Sequence, residues 1–345
     1  MPGRRARIAM MGAGLIGRRH AEHIAREAAL AAIVDPGPGA ADVAREHGVE
    51  LHPDLDSLLR ADRPDGILIA TPNQLHVEHG LACINEGLPT LIEKPIAADS
   101  SSGEVLAAAA EARGVPLLVG HHRRHNPAIR MARQMIDAGR LGTIVAAHVT
   151  CWFRKPDDYF DVDWRRNPGA GPIYINLIHD IDLMRFLCGP VRTVTAVQSD
   201  ASRGNDVEDT AAVLLVFENG AIGTVTLSDA VAAPWSWELT AGENPAYPRT
   251  GENSMLIGGT HGSLSIPDLS LWHYSGRRSW WEPILREQLP VASEDPLALQ
   301  IRHFGDVILN GAKPLVGAQE GLESLRVVEA VKQAADSGKT VVLSE

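Results

Sequence analysis

The chain is 345 residues long, 45% hydrophobic and 22% charged, with a formal net charge of −11. That length can bury a substantial core and predicts two domains, and the acidic balance argues against nonspecific binding to nucleic acid or to an anionic membrane. Three widely spaced cysteines, Cys83, Cys151 and Cys188, form no CxxC pair. They read as reduced packing residues of a cytoplasmic protein, not as a disulfide framework or a zinc site.

Arg4, Arg5 and Arg7 ahead of the apolar stretch 8–17 imitate a secretory leader, but glycines interrupt the stretch and Arg18-Arg19-His20 follows it. No apolar run approaches the ~20 residues that a membrane helix needs. Arg7–Met11 predicts a strand, 15–28 a helix, and 30–34 a second strand ending at Asp35. The pattern resumes with a strand at 66–70, a helix at about 74–86, a strand at Thr90–Ile92, a helix at about 101–113 and a strand at 115–120. Strands alternating with helices of this length predict a parallel, doubly wound α/β sheet with its ligand at the carboxyl ends of the strands.

Within that frame the string Gly12-Ala13-Gly14-Leu15-Ile16-Gly17 joins the first strand to the first helix. Its first glycine permits a tight turn, its second lets backbone approach a pyrophosphate, and its third lets helix and strand pack closely. The helix N-terminus offers free N–H groups to the phosphates. Gly12, Gly14, Leu15, Ile16 and Gly17 are therefore the expected dinucleotide loop. Asp35 follows Gly17 by 18 residues, near the ~20 expected of a carboxylate that accepts the ribose hydroxyls. It would repel a 2′-phosphate, and Pro36 stands where an arginine would neutralise one, so NAD is expected ahead of NADP.

Glu93-Lys94-Pro95 should close the Thr90–Ile92 strand on the nicotinamide side, where an ammonium can donate to a substrate hydroxyl and stabilise developing oxygen charge. Taken alone, the tripeptide reads first as a surface lysine after a strand. His121 and His122 follow the 115–120 strand and should lie near the nicotinamide, the second of them toward a substrate. In the second half, 143–153, 193–197, Thr210–Phe217, 221–227 and 254–258 are strand-like, and Glu218-Asn219-Gly220 predicts a hairpin turn. Trp235, Trp237, Trp272, Trp280 and Trp281 fall in or near irregular stretches; they could stack on sugar faces, but capping the core or forming a subunit interface is the first expectation. Arg165 either clamps a cofactor or polar substrate or pairs with an acid in 157–163. The 14 histidines contain no compact ligand set, so no metal is predicted.

Thr71-Pro72-Asn73-Gln74-Leu75-His76, Glu93-Lys94-Pro95, Gly120-His121-His122-Arg123-Arg124-His125-Asn126-Pro127 and Ile175-Asn176-Leu177-Ile178-His179-Asp180-Ile181-Asp182 occur in that order. Together with the glycine string they resemble the glucose–fructose oxidoreductase and inositol dehydrogenase (Gfo/Idh/MocA) family over nearly the whole chain. The resemblance implies an N-terminal Rossmann domain (1–125) and a C-terminal α/β domain with an open, mainly antiparallel sheet (126–345), the last helices returning to the first domain. It implies hydride transfer between NAD and a secondary alcohol of a sugar, inositol or related polyol, in a homodimer or homotetramer.

The same resemblance makes Lys94 and His179 catalytic, with the Lys94–Pro95 peptide often cis. It lines the cofactor with Thr71, Pro72, Asn73 and His76, and places Glu93 beside the nicotinamide end. Asn176, three residues before His179, shares its helical face and would bind a neighbouring substrate hydroxyl, while Asp182 orients the imidazole or anchors the helix. Many family members carry an aspartate four residues before the histidine; here that position is Ile175. The alternatives are a glycoside hydrolase that recycles tightly held NAD and a non-catalytic NAD-binding regulator.

Overall fold

The computed structural model describes residues 4–343. They form two compact units: the chain through His125 together with Glu294–Leu325, and Asn126–Ser293 together with the chain from Arg326 onward.

In the first unit the elements run β1 (Arg7–Met11), α1 (Leu15–Glu27), β2 (Ala29–Val34), α2 (Ala40–His47), β3 (Glu50–His52) and α3 (Leu55–Ala61). They continue with β4 (Gly66–Ile69), α4 (His76–Asn85), β5 (Thr90–Ile92), α5 (Ser100–Arg113) and β6 (Leu117–Val119). The six strands pair in the order β3-β2-β1-β4-β5-β6, all parallel. Alternate residues supply the two faces. Ala9, Met11, Ile67, Ile69, Ile92 and Val119 join one core, and Ile8, Met10, Leu68, Leu91 and Leu118 join the other. The sequence reading omitted α2, β3 and α3, because β3 is only three residues long, two of them exposed, and offers no apolar run.

The second unit opens with α6 (Pro127–Asp137) and β7 (Ile144–Trp152), then α7 (Pro172–Ile175) and α8 (Leu177–Cys188). After these come β8 (Val191–Ser199), β9 (Thr210–Phe217), β10 (Ile222–Ser228), α9 (Trp237–Thr240), β11 (Met255–Gly259), β12 (Gly262–Ile266), β13 (Ser270–His273) and β14 (Leu285–Gln288). Last in the chain are α10 (Pro296–Asn310), α11 (Ala318–Ser337) and β15 (Val341–Val342). In the first unit Ile301, Phe304 and Val307 of α10 pack into the core that contains Ile8 and Met10.

The second sheet has nine strands in the order β14-β13-β12-β11-β7-β10-β9-β8-β15. Only the β10–β7 pair is parallel, so the sheet is mixed and mostly antiparallel. The β9–β10 hairpin closes over Gly220 at φ 86°, with the Phe217 N–H donating to the Ala221 carbonyl. Ile173, Leu177, Ile178 and Ile181 of α7 and α8 fill the core beneath the sheet with Val149, Leu215, Val225 and Ile257.

The tryptophans divide by environment. Trp237 is buried in the core and donates to Glu243 Oε2 at 2.7 Å, whereas Trp280 and Trp281 are more than 80% exposed. All three cysteines are buried and none is disulfide-bonded; burial pushes the Cys83 and Cys188 thiols up to about 12, which keeps them unreactive. Among the described residues no helix is long and apolar enough to cross a membrane.

Candidate active site

The glycine loop is built as a cradle. Gly12 sits at φ +95° and donates its N–H to the Val34 carbonyl at 2.9 Å. A β-carbon there would lie 2.7 Å from the Ala70 carbonyl oxygen, and one at Gly17 would lie 1.9 Å from the Gly12 oxygen. Neither position tolerates a side chain. A β-carbon on Gly14 would meet nothing within 4 Å, so that residue borders open space. The α1 N-terminus has no side-chain cap and no acid in its first turn, which leaves its N–H groups available to an anion. Leu15 and Ile16 are exposed beside it. These residues fit a dinucleotide.

Asp35 has both oxygens engaged by that loop region: Oδ2 accepts from Ala13 N–H and Oδ1 from Gly37 N–H, each at 2.6 Å. Its carboxylate thus holds the loop in shape, and its remaining lone pairs stay available to a ribose. Arg18, from the first turns of α1, donates to the Gly39 carbonyl at 3.1 Å. A cation therefore stands close to the β2–α2 connection, where the sequence reading found only proline.

Thr71 is half-buried after β4, and Pro72 and Asn73 are exposed. His76 is fully buried, and its ring nitrogens lie 2.8 Å from the Pro95 carbonyl and 2.9 Å from the Thr71 carbonyl. Burial draws its pKa down despite the two acceptors. This ring braces the Thr71 turn against Pro95, with both nitrogens beside backbone carbonyls.

After β5, Glu93 turns inward. Its Oε1 lies 2.7 Å from Nε2 of His20, which is itself fully buried on α1. Gly120, at the end of β6, makes room for the carboxylate: a β-carbon there would meet Glu93 Oε1 at 3.0 Å. Burial alone would raise the Glu93 pKa. The hydrogen bond and charge of His20 outweigh it, and with His122 and Lys94 they hold the carboxyl at about 2. Lys94 donates its N–H to Glu93 Oε2 at 3.1 Å, its peptide to Pro95 is cis, and its side chain is partly exposed. His121 is buried and His122 is half-buried on the turn after β6.

The carboxyl ends of β1, β2, β4, β5 and β6 thus bring Gly12–Gly17, Asp35, Thr71, Glu93, Lys94, His121 and His122 to one edge of the parallel sheet. His20 was missed by the sequence reading. Its signal is its place three residues after Gly17, one turn into α1.

In the second unit, His179 lies in the first turn of α8 and is partly exposed, while Asp180 and Asp182 are buried. The predicted continuous helix is broken: α7 ends at Ile175 and Asn176 is the N-cap residue of α8, its carbonyl accepting from His179 N–H at 3.2 Å. Asn176 therefore precedes the helix that holds His179. Buried Glu208 accepts from the Ile173 N–H at 3.2 Å and lies 3.7 Å from Lys332 Nζ. A β-carbon on Gly171 would come 2.1 Å from Glu208 Oε1, so this glycine admits the carboxylate that anchors α7. Burial raises the pKa of Glu208.

Among the described residues Arg165 pairs with no acid. It donates to the Tyr159 carbonyl at 2.9 Å and stacks on the Tyr159 ring at 4.2 Å. Its neighbour Arg166 pairs with Asp163, and Arg154 and Arg203 pair with Asp157.

Comparison with known proteins agrees with this architecture. Residues 6–121 match the oxidoreductase family with an NAD-binding Rossmann fold, and residues 129–265 match the GFO/IDH/MocA C-terminal domain. D-apiose dehydrogenase of Paraburkholderia graminis is 28% identical over 99% of this chain and 90% of its own length. Inositol 2-dehydrogenase 2 of Saccharopolyspora erythraea is 26% identical over 96% of this chain and 94% of its own. A solved oxidoreductase from Agrobacterium radiobacter, in complex with NAD+, L-tartaric acid and magnesium, superposes with a TM-score of 0.82 over 98% of both chains at 21% identity, which shows the shared fold. On the two matched domains and the glycine-loop sheet they describe, this chain belongs to the GFO/IDH/MocA family of oxidoreductases.

Proposed function

We propose that the protein is an NAD-dependent dehydrogenase that oxidises a secondary alcohol of a sugar, inositol or related polyol, with Lys94 and His179 at the reacting hydroxyl. The observation that carries this reading is the Glu93–His20 bond: the helix that begins at the glycine loop also fixes the residue next to Lys94. Lys94 donates to the substrate oxygen and stabilises its negative charge as the C–H bond breaks. His179 accepts the hydroxyl proton, and Asn176 binds a neighbouring hydroxyl. The dinucleotide, when bound, supplies the acceptor for the two electrons and the hydrogen leaving carbon. A ketone, NADH and one proton balance the reaction. Absorbance at 340 nm across inositols, aldoses, anhydrosugars and sugar acids tests it; bound NAD with no NADH from any of them turns the reading toward NAD recycling or regulation.

NAD is preferred over NADP in this reading because Asp35 keeps a negative charge beside the ribose position. Asp35→Ala is expected to raise the KM for NAD+ by roughly 10- to 100-fold, the worth of charge-assisted hydrogen bonds, and to narrow the gap to NADP+. Parallel KM measurements with both cofactors check this, and an unchanged ratio rejects the assignment.

The protein acts as a homodimer or homotetramer in this reading. Val145, Ile222, Leu256 and Trp272 line one shallow groove on the outer face of the nine-stranded sheet, each more than a third exposed. An apolar strip of this kind marks an interface. Light scattering should give a multiple of the chain mass, and Leu256→Glu should reduce it to the monomer.

A further inference from the structure

We infer that the outer face of the nine-stranded sheet joins two copies of this chain, and that His148 at its centre makes the contact dissociate on acidification. The contact is the one in the homo-oligomer reading above, and the switch rests on that reading.

The face is built without charge. His148 lies on the outer side of β7, opposite Thr224 of β10 and Leu256 of β11. Leu214 of β9 and Ser265 of β12 extend that row. The rows beside it, Ala146 with Ile222 and Gly258, and Thr150 with Thr226, are equally uncharged. So are Thr193, Thr195 and Val197, where β8 continues the face. Charged residues stand at the margins: Arg192 near the start of β8, Glu218 and His261 in the hairpin turns, Glu252 ahead of β11, and Asp268 and Arg286, paired at 3.4 Å beside β13. Inside these margins His148 is the one titratable side chain of the outer face among the described residues.

A second copy is the occupant that such a face fits. The net charge of −11 makes copies repel, and a two-fold contact brings the same patch of each to meet itself. Here that meeting strands no charge. Val197, Leu214, Ile222 and Leu256 are each more than 40% exposed, apolar area that association removes from water. The strands from β12 to β8, ~4.8 Å apart, span about 25 Å, a width that suits the ~800 Å² each partner of a stable complex contributes.

His148 is satisfied while neutral. Its ring nitrogens lie 2.8 Å from Thr224 Oγ1 and 3.2 Å from Thr150 Oγ1, and one hydroxyl donates where the other accepts. Protonated, it would be a cation in the middle of a contact whose interior holds no carboxylate, once in each copy. Water solvates that charge on the separated chain, and the contact does not. Each chain therefore takes up a proton as the pair separates. Association is complete above the imidazole range and weakens as pH falls through it. Bulk charge acts the other way: acidification shrinks the −11 and by itself would tighten association.

The test is sedimentation velocity of the full chain over a dilution series at pH 7.5 and pH 5.5. Wild type should associate at pH 7.5, and its dissociation constant should rise roughly 10- to 100-fold at pH 5.5 as two imidazoles per dimer take up protons. His148→Gln, an uncharged amide, should associate at both pH values with constants within about threefold of each other. His148→Lys, a fixed charge, should be monomeric at both. The side chain is partly exposed, so both variants should fold; their melting temperatures are measured alongside. A wild-type constant that is unchanged or tighter at pH 5.5 overturns the switch, as does an equal pH response in His148→Gln. Assembly of His148→Lys at wild-type strength overturns it too. These three results leave the homo-oligomer reading standing when Leu256→Glu is a monomer. Association that survives Leu256→Glu runs through another surface and overturns the contact, and a wild type that is monomeric at pH 7.5 overturns both readings.

Discussion

Replacing Lys94 with alanine is expected to lower NADH formation by about 10³-fold while the affinity for NAD+ changes less than threefold. The separation follows from position. The pyrophosphate end of the cofactor site is made of backbone, at Gly12, Gly14 and the uncapped start of α1, whereas Lys94 follows β5. In the proposed dehydrogenase the ammonium acts instead on an oxygen whose charge grows as the reaction proceeds. Its loss therefore falls on kcat more than on binding. Lys94→Arg should recover little, because a planar guanidinium does not reproduce a compact ammonium on a flexible stem. Steady-state rates at 340 nm and a calorimetric NAD+ titration on the same preparations check both halves. A variant that retains activity within tenfold of wild type would remove Lys94 from the chemistry.

His20→Leu should destabilise the protein by about 3–5 kcal/mol, the cost of leaving one member of a buried pair without its partner. Glu93 is 7% exposed and packs against Gly120. The pair also has a pH signature. The Glu93 carboxyl is held at about 2, against an ordinary value of 4.5, so the unfolded chain takes up a proton before the folded one does. The resulting stability is fully present above about pH 4.5 and drains away as pH falls toward 2. It amounts to about 3 kcal/mol at neutral pH. Glu93→Gln removes it, so wild type and this variant should differ most at pH 7 and converge on acidification. Denaturant melts of both at pH 7, 5, 4 and 3 decide the matter; a constant gap would mean that Glu93 carries no depressed pKa.

Much of the cofactor side was legible because its signals are local. A strand, a glycine turn and a helix occupy one short segment, and Glu93-Lys94-Pro95 follows its strand directly. The hairpin at Gly220 and the strands on both sides of it were readable for the same reason. What escaped lacks either periodicity or proximity. β3 is too short to show a pattern. His20 and Glu93 stand 73 positions apart, and Glu208 lies 35 positions from the N–H it holds at Ile173. The break between α7 and α8 fell inside a stretch whose spacing alone suited one helix.

By itself the sequence determined the alternation of strands and helices, the glycine loop between the first strand and helix, and the order of the motifs that mark the family. Each depends on backbone geometry within a few residues, which periodicity and turn chemistry specify. Only the tertiary structure decided which polar groups meet. It gave Glu93 to His20, turned His76 into a brace, set Arg165 on the Tyr159 carbonyl and set two cations against Asp229. Those pairings join residues remote in the chain, and their energies come from burial and desolvation, which exist only once the elements have packed.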